Sequence, residues 1–307
     1  MNTKITINQV YRLFNEPAVW LTSGTGGMKA LLQVAEPGAT CLINLIWVFT
    51  LNAARVYLPM LKEFKKKKIR TVVLGSCWQD IVCMRALGIR CVLMNQNQFL
   101  LEENIPLRVM SGCDAYDAFY AAQAQPFKRL HLASEIKSLY VLTYNWPKGL
   151  NESRILKEFE PKLAHAHYNR SYVDFDEVSK LMSSSSCALA LSWKEGAMWA
   201  AYEALLAGVP LVSTPSIGGR HRYFDSETVR IVKPTSAAVK AGVDYWLAKR
   251  PDPEHVRSVT LKKIEGDREV AVSYFKKNIL LGSKEYSAED IYQRLFRDGH
   301  ARTPLSL

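Results

Sequence analysis

Glu195 and Glu203 stand either side of a seven-residue spacer in the run Lys194–Thr214; the first lies just before Gly196, the second inside an apolar stretch. A carboxylate accepts two hydrogen bonds side by side, so one can hold a ribose diol and another the hydroxyls of a second sugar. The pattern after Gly196 predicts a helix opening near Ala197, stopped by Gly208 and followed at once by a strand at Leu211. Free N–H groups and the dipole at such a helix start favour an anion, and Gly196 lets backbone and ligand approach. Glu203 then falls two turns along, roughly 10 Å from the tip at ~1.5 Å per residue, near a ribose-to-sugar distance. Its neighbours Tyr202, Ala204, Leu205 and Leu206 are apolar, and an ionised side chain in such a helix needs a reason. Together these residues describe a site for a nucleoside diphosphate-sugar, whose leaving phosphate also needs charge stabilisation.

Two flanking segments add charge. Upstream, Tyr120–Arg129 leaves a strand for a predicted helix over Lys128–Ser134. Lys128 can meet a diphosphate as a point charge and Arg129 as a fork. A lysine at a helix start opposes the dipole, which favours a bound anion. Downstream, Thr214–Arg222 reads as a ligand-facing loop. Gly218 and Gly219 free its amides, and Arg220 and Arg222 flank His221. The balance of 40 Lys and Arg against 29 Asp and Glu suits an anionic partner. No nucleic-acid motif accompanies the charge, so no nucleic acid is expected.

The elements that must position these groups are strands alternating with helices. At 307 residues, two domains are expected. Strands are predicted at Thr40–Phe49, Arg70–Gly75 and Arg90–Met94, with helices at Leu51–Lys67 and Gln79–Leu87, the last stopped by Gly88. Gly112–Asp117 opens the second half. Strands follow at Ala118–Ala122, Ser138–Thr143, Cys187–Ser192, Leu211–Ser213 and Arg230–Val232, and Asp174–Glu177 caps a helix over Val178–Met182. From Ser236 the chain reads as helical and charged. The expected class is α/β with parallel sheets, the domains running 1–106 and 107–307, with the last helices free to pack back on the first.

These segments resemble the retaining GT-B glycosyltransferases of the large family 4. That family carries an E-x7-E motif before a helix, a Gly-Val-Pro and a strand, and here Glu195, Glu203, Gly208, Val209 and Pro210 occupy those places. It also carries a lysine after the first strand of its C-terminal domain, similar to Lys128, and a loop similar to Thr214–Gly219. The match covers about residues 115–235. The resemblance implies a GT-B-like fold of two Rossmann-like domains, with a short N-terminal domain on the acceptor side. By the same resemblance the donor binds in the C-terminal domain with no metal or other cofactor: Lys128 on the diphosphate, Glu195 on the sugar, Glu203 on the ribose. It departs at Gln123, where the family usually has an arginine; Arg129, Arg220 or Arg222 must replace that charge. Ser23–Gly27 is a weak counterpart of the family's N-terminal glycine-rich loop.

The expected activity is therefore sugar transfer from a nucleotide-sugar to a glycan or lipid-linked acceptor, in polysaccharide biosynthesis, with retention. The leaving phosphate takes the acceptor's proton on the same face. Inversion would need a base from the N-terminal half, where Glu36, Asp80, Glu102 and Glu103 are not distinguished. The alternative is a non-catalytic nucleotide- or glycan-binding relative or partner protein. His165 with His167, and Asp174 with Asp176, are weak metal candidates, the latter the basis of a minor GT-A reading. Trp146, Trp193 and Trp199 read as core or pocket walls. The six cysteines include no C-x-x-C pair and fit reduced, buried thiols in the cytoplasm. Met1–Lys4 lacks the build of a signal peptide, and Cys41–Leu51 is too short to span a bilayer. Lys62–Lys68 ends a helix with the charge its dipole favours, or docks the chain peripherally on an anionic membrane.

Overall fold

The structure is a computed structural model that describes residues 6–7, 10–45, 50–110, 114–143, 161–169, 171–281, 286–298 and 305–306. Met1–Lys4, the strand end Trp47–Phe49, Gly112, Cys113 and Trp146 lie outside the described residues. The chain divides into two compact units, Met1–Leu101 with Ile264–Leu307, and Glu102–Lys263.

In the first unit the strands are β1 (Thr6–Ile7), β2 (Val10–Phe14), β3 (Val19–Ser23), β4 (Thr40–Asn44), β5 (Arg70–Gly75) and β6 (Cys91–Leu93). The main sheet has the order β2-β3-β4-β5-β6, antiparallel at β2–β3 and parallel elsewhere. Side chains alternate across a strand, so Cys41 and Ile43 face one way and Leu42 the other. The helices α1 (Gly24–Val34), α2 (Leu51–Arg55), α3 (Leu58–Lys66) and α4 (Trp78–Ala86) cover the Cys41 face through Met28, Ala54, Phe64 and Met84. The Leu42 face receives Ala271, Phe275, Leu295 and Phe296 from the C-terminal helices. Both faces of this largely parallel sheet are thus dry, as its apolar strands require.

In the second unit the strands are β7 (Tyr116–Ala121), β8 (Leu139–Leu142), β9 (His167–Tyr168), β10 (Ser185–Ala190), β11 (Leu211–Ser213) and β12 (Val229–Ile231). Their order is β9-β8-β7-β10-β11-β12, and every pair is parallel. Numbered from β7 this is 3-2-1-4-5-6, the Rossmann order, whose strand sequence reverses between β7 and β10. In open α/β sheets the loops leaving the carboxyl ends at such a reversal part in opposite directions, and ligands bind between them. The helices here are α5 (Phe175–Ser183), α6 (Trp199–Leu206), α7 (Ser236–Lys249) and α8 (Pro253–Asn278); from Ile264 onward α8 belongs with the first unit. In the first unit α9 (Ala288–Tyr292) follows, and β13 (Leu305–Ser306) pairs antiparallel with β1.

Several expectations are corrected. The helix predicted over Leu51–Lys67 is two helices, parted around Val56 and Tyr57; Pro59 opens the second, where its missing N–H costs nothing. The helix predicted at Lys128–Ser134 is a pair of 3-10 turns, Pro126–Lys128 and Leu130–Ala133, separated by Arg129 in the left-handed region at φ 53°. Ser23–Gly27, expected as a weak counterpart of a glycine-rich loop, spans the junction of β3 and α1, with Gly24 at φ 61°. The hairpin β2–β3 has no counterpart in the sequence reading, because its strands are short and lack a two-residue glycine turn.

Gly208 closes α6 at φ +81°, and a Cβ there would meet Pro253 Cβ at 2.5 Å and Pro253 Cα at 2.8 Å. Gly208→Ala is expected to lower stability by about 2–4 kcal/mol, backbone strain plus clash. Gly196→Ala, where nothing lies within 4 Å of the new Cβ, serves as the unchanged control in a denaturant titration. Equal midpoints for both variants would remove this constraint.

Candidate functional site

The site is built on the two strands that flank the reversal. β7 runs into Gln123–Arg129, and β10 runs into Leu191–Glu195. Lys128 Nζ lies 2.7 Å from Glu195 Oε2 across 67 residues of sequence, with both side chains nearly buried, at 5% and 7% exposure. Ser192 Oγ donates to the same Oε2 at 2.8 Å. Backbone bonds lace the loops: Trp193 N donates to Phe127 O at 3.0 Å, and Glu195 N donates to Ile217 O at 2.9 Å. Lys194 and Ile217 form an isolated parallel bridge, so the loop after β11 is tied in as well.

Arg220 stands behind this cluster, fully buried. Its NH1 donates to Ser192 O at 2.9 Å and to Ser192 Oγ at 2.7 Å, and its NH2 to Thr214 O. Burial lowers its pKa to about 10. Arg129 spans the same loops: its Nε donates to Leu191 O at 2.6 Å and its NH2 to Thr214 Oγ1 at 2.8 Å. These bonds hold Arg129 in its left-handed turn. Tyr120 donates its hydroxyl to Lys128 O, and burial pushes that phenol well above its usual range. Tyr202 of α6 donates to Arg220 O at 2.6 Å and accepts from Tyr223 N at 3.0 Å. Lys128 thus contacts the Glu195 carboxylate, Arg220 reaches it through Ser192, and Arg129 lies on the adjoining Leu191 and Thr214, so cations outnumber the carboxylate here. His221 adds no charge at neutral pH. Burial first, and Arg220 second, lower its pKa to about 4.

The predicted residues fall into three groups. Lys128 and Glu195 meet directly, with Arg129 and Arg220 around them. Gly196 leads out of the pair into open space; Ala197 is buried and Gly218 sits at φ 110° beside buried Gly219. Gln123 and Glu203 are half-buried. One spacing is corrected: α6 opens at Trp199, behind Met198 in the left-handed region, so Glu203 is about 6 Å along the axis, not 10 Å. Arg220 is sealed from solvent and bonds Ser192 and Thr214. Ser192 and Tyr202 were not foreseen as partners. Ser192 follows a buried strand, and only the fold brings Arg220 against it.

The metal candidates have structural work. Asp174 Oδ1 caps α5 by accepting from Glu177 N at 2.9 Å, His165 Nε2 bonds Ile136 O at 2.9 Å, and His167 packs edge-on to Tyr116. Among the described residues no group of three or more His, Cys, Asp or Glu is placed to hold a metal ion.

No protein-family model matches the chain, and no curated protein matches it by sequence. Solved structures match by shape. Anabaena Alr3699/HepE in complex with UDP superposes with a TM-score of 0.58 at 12% identity, covering 82% of this chain and 78% of that one. A structure described as trehalose-6-phosphate from E. coli bound with UDP-2-fluoro glucose gives 0.56 at 11%, covering 91% and 76%. TarM gives 0.56 at 12% over 90% of this chain but 53% of its own, so this chain spans about half of that protein. The fold is GT-B-like.

Two outcomes test this geometry. Lys128→Met strands a buried carboxylate and is expected to cost about 3–5 kcal/mol, most of it recovered in Lys128→Met/Glu195→Met, where both charges go. A denaturation cycle over the four proteins measures the coupling; strict additivity would mean that the pair does not hold the loops. His221, neutral in the fold, binds a proton on unfolding between its folded pKa of about 4 and the ordinary imidazole value of about 6.5. Its contribution is complete above that upper value and is lost as pH falls through the window. The melting temperature of wild type minus that of His221→Gln is expected to drop on acidification, and a flat difference would contradict it.

Proposed function

We propose that this chain is a glycosyltransferase that binds a nucleotide-sugar donor in its second unit and moves the sugar to a glycan or lipid-linked acceptor. The observation that carries this reading is the buried Lys128–Glu195 pair at the sheet reversal, ringed by Arg129 and Arg220. Three cations around one carboxylate make a place for a dianionic group. Structures titled as UDP and UDP-2-fluoro glucose complexes share the fold, which supports a nucleoside diphosphate in that role.

In this reading Lys128 and Arg129 face the diphosphate, helped by the amides around Gly196, Ala197, Gly218 and Gly219. Glu195 binds the transferred sugar. Its contacts from Lys128 and Ser192 converge on Oε2, and in this reading Oε1 accepts from sugar hydroxyls. Glu203 binds the ribose diol, and Gln123 lies beside the phosphates. Arg220 contributes its field and the position of Ser192. Transfer proceeds with retention and without a metal: the leaving phosphate, stabilised by the cations, takes the acceptor's proton on the face it departs from. Glu195, held by a lysine and a hydroxyl, binds and does not attack. Gln123 favours a second reading, a binding protein without turnover, since an uncharged amide stabilises the leaving phosphate less than an arginine would.

A thermal-shift screen of the whole chain against nucleoside diphosphates is expected to find one base that raises the melting temperature. Ligand at about 100 times its Kd contributes roughly 2.7 kcal/mol. Gly196→Ala, whose new Cβ meets nothing within 4 Å, is expected to keep the unliganded melting temperature, and both it and Glu203→Ala are expected to weaken that ligand about tenfold or more. No shift with any nucleotide would overturn the proposal. A shift without hydrolysis or transfer of the matching sugar nucleotide would select the second reading.

A further inference from the structure

A marked charge asymmetry lies in the first unit. Residues 51–90 carry nine Lys and Arg against two Asp and Glu; Arg70 and Arg90 turn to Asn278, and the other seven lie on α2, α3, α4 and the turn after α3. Of the two acids, Asp80 is buried at the start of α4, where its Oδ2 accepts from Ser76 N and Cys77 N. Glu63 is paired with Lys66 at 2.6 Å. Arg55, Lys62, Lys65 and Arg85 are exposed, and the nearby acids Asp80 and Glu63 are held by the α4 start and by Lys66.

The same layer exposes large apolar side chains. Trp78 and Val82, one turn apart on α4, are each 64% exposed, and Val56 and Leu51 at α2 are 60% and 44% exposed. α2 and α4 pack against each other, so the four side chains share one region. Their inward neighbours Ala54, Ile81 and Met84 already fill the core, so nothing in the first unit's packing calls for an outward tryptophan. Apolar groups amid exposed lysines and arginines fit a fluid anionic surface, which needs no shape match. Burial of a few side chains and attraction to headgroups then add.

We propose that this face of the α2–α4 layer docks on an anionic lipid bilayer, with Trp78, Val82 and Val56 entering the interface and Arg55, Lys62, Lys65 and Arg85 among the headgroups. Among the described residues no helix is long and apolar enough to cross a membrane, so the contact is peripheral. It enlarges the lysine run Lys62–Lys68 into a two-signal surface, and it is independent of donor binding.

The test is co-sedimentation of the full chain with phosphatidylcholine vesicles, with and without about one-third phosphatidylglycerol. Binding is expected only to the anionic vesicles. Lys62→Ala/Lys65→Ala is expected to lower the partition about 25-fold at low salt, roughly fivefold per cation. Trp78→Ser/Val82→Ser is expected to lower it about tenfold and to remove the part that survives high salt. All four positions are exposed, so unchanged melting temperatures keep folding apart from docking. Absence of binding to anionic vesicles would overturn the proposal. So would binding indifferent to Trp78→Ser/Val82→Ser, which would mark a general polyanion site such as a nucleic acid would use.

Discussion

Everything at the crevice of the second unit depends on one buried ion pair. Lys128 and Glu195 come from loops 67 residues apart and meet at 2.7 Å with little water around them. Taking two charges out of water is costly, and a pair regains that cost only when further hydrogen bonds complete it. Ser192 and Arg220 supply them. Ser192 donates to Glu195, and Arg220 holds Ser192 by both its carbonyl and its hydroxyl. The result is a rigid carboxylate in a field of excess positive charge, an unfavourable arrangement for stability alone and a favourable one for an anionic ligand.

The backbone makes that arrangement possible. An all-parallel sheet whose strand order reverses between β7 and β10 sends their following loops apart, and every strand ends on the same edge. Loops from β7, β10 and β11 are then cross-bonded through Phe127, Trp193, Glu195 and Ile217. The left-handed turn at Arg129 belongs to the same network. A 3-10 turn with no helix behind it leaves Lys128 at the end of a tight corner, where its side chain reaches back to the neighbouring loop.

The two units use charge differently. At the Lys128–Glu195 site of the second unit the cations are bonded to protein acceptors and largely withdrawn from water, so they act at short range in a low dielectric. On the helix layer of the first unit they are exposed, where a partner with dense negative charge gains from them.

Much of the secondary structure was legible in the residues alone. β5 and β11 begin and end where apolar runs meet Gly75 and Thr214, and Gly88 and Gly208 stop helices in the left-handed region that glycine tolerates. Glu195, Lys128 and Arg129 were also legible, because charges beside strand ends and glycines have few other uses. The sequence by itself determined the α/β rhythm, the glycine punctuation and the identity of the charged groups, all of which depend on local periodicity and chemistry. Only the tertiary structure decided that Arg220 lies behind Ser192, that Arg129 turns left-handed, that residues from Ile264 pack on the first sheet, and that Trp78 faces outward. Those outcomes depend on which strands become neighbours, and pairing between distant segments leaves no periodic mark on either one.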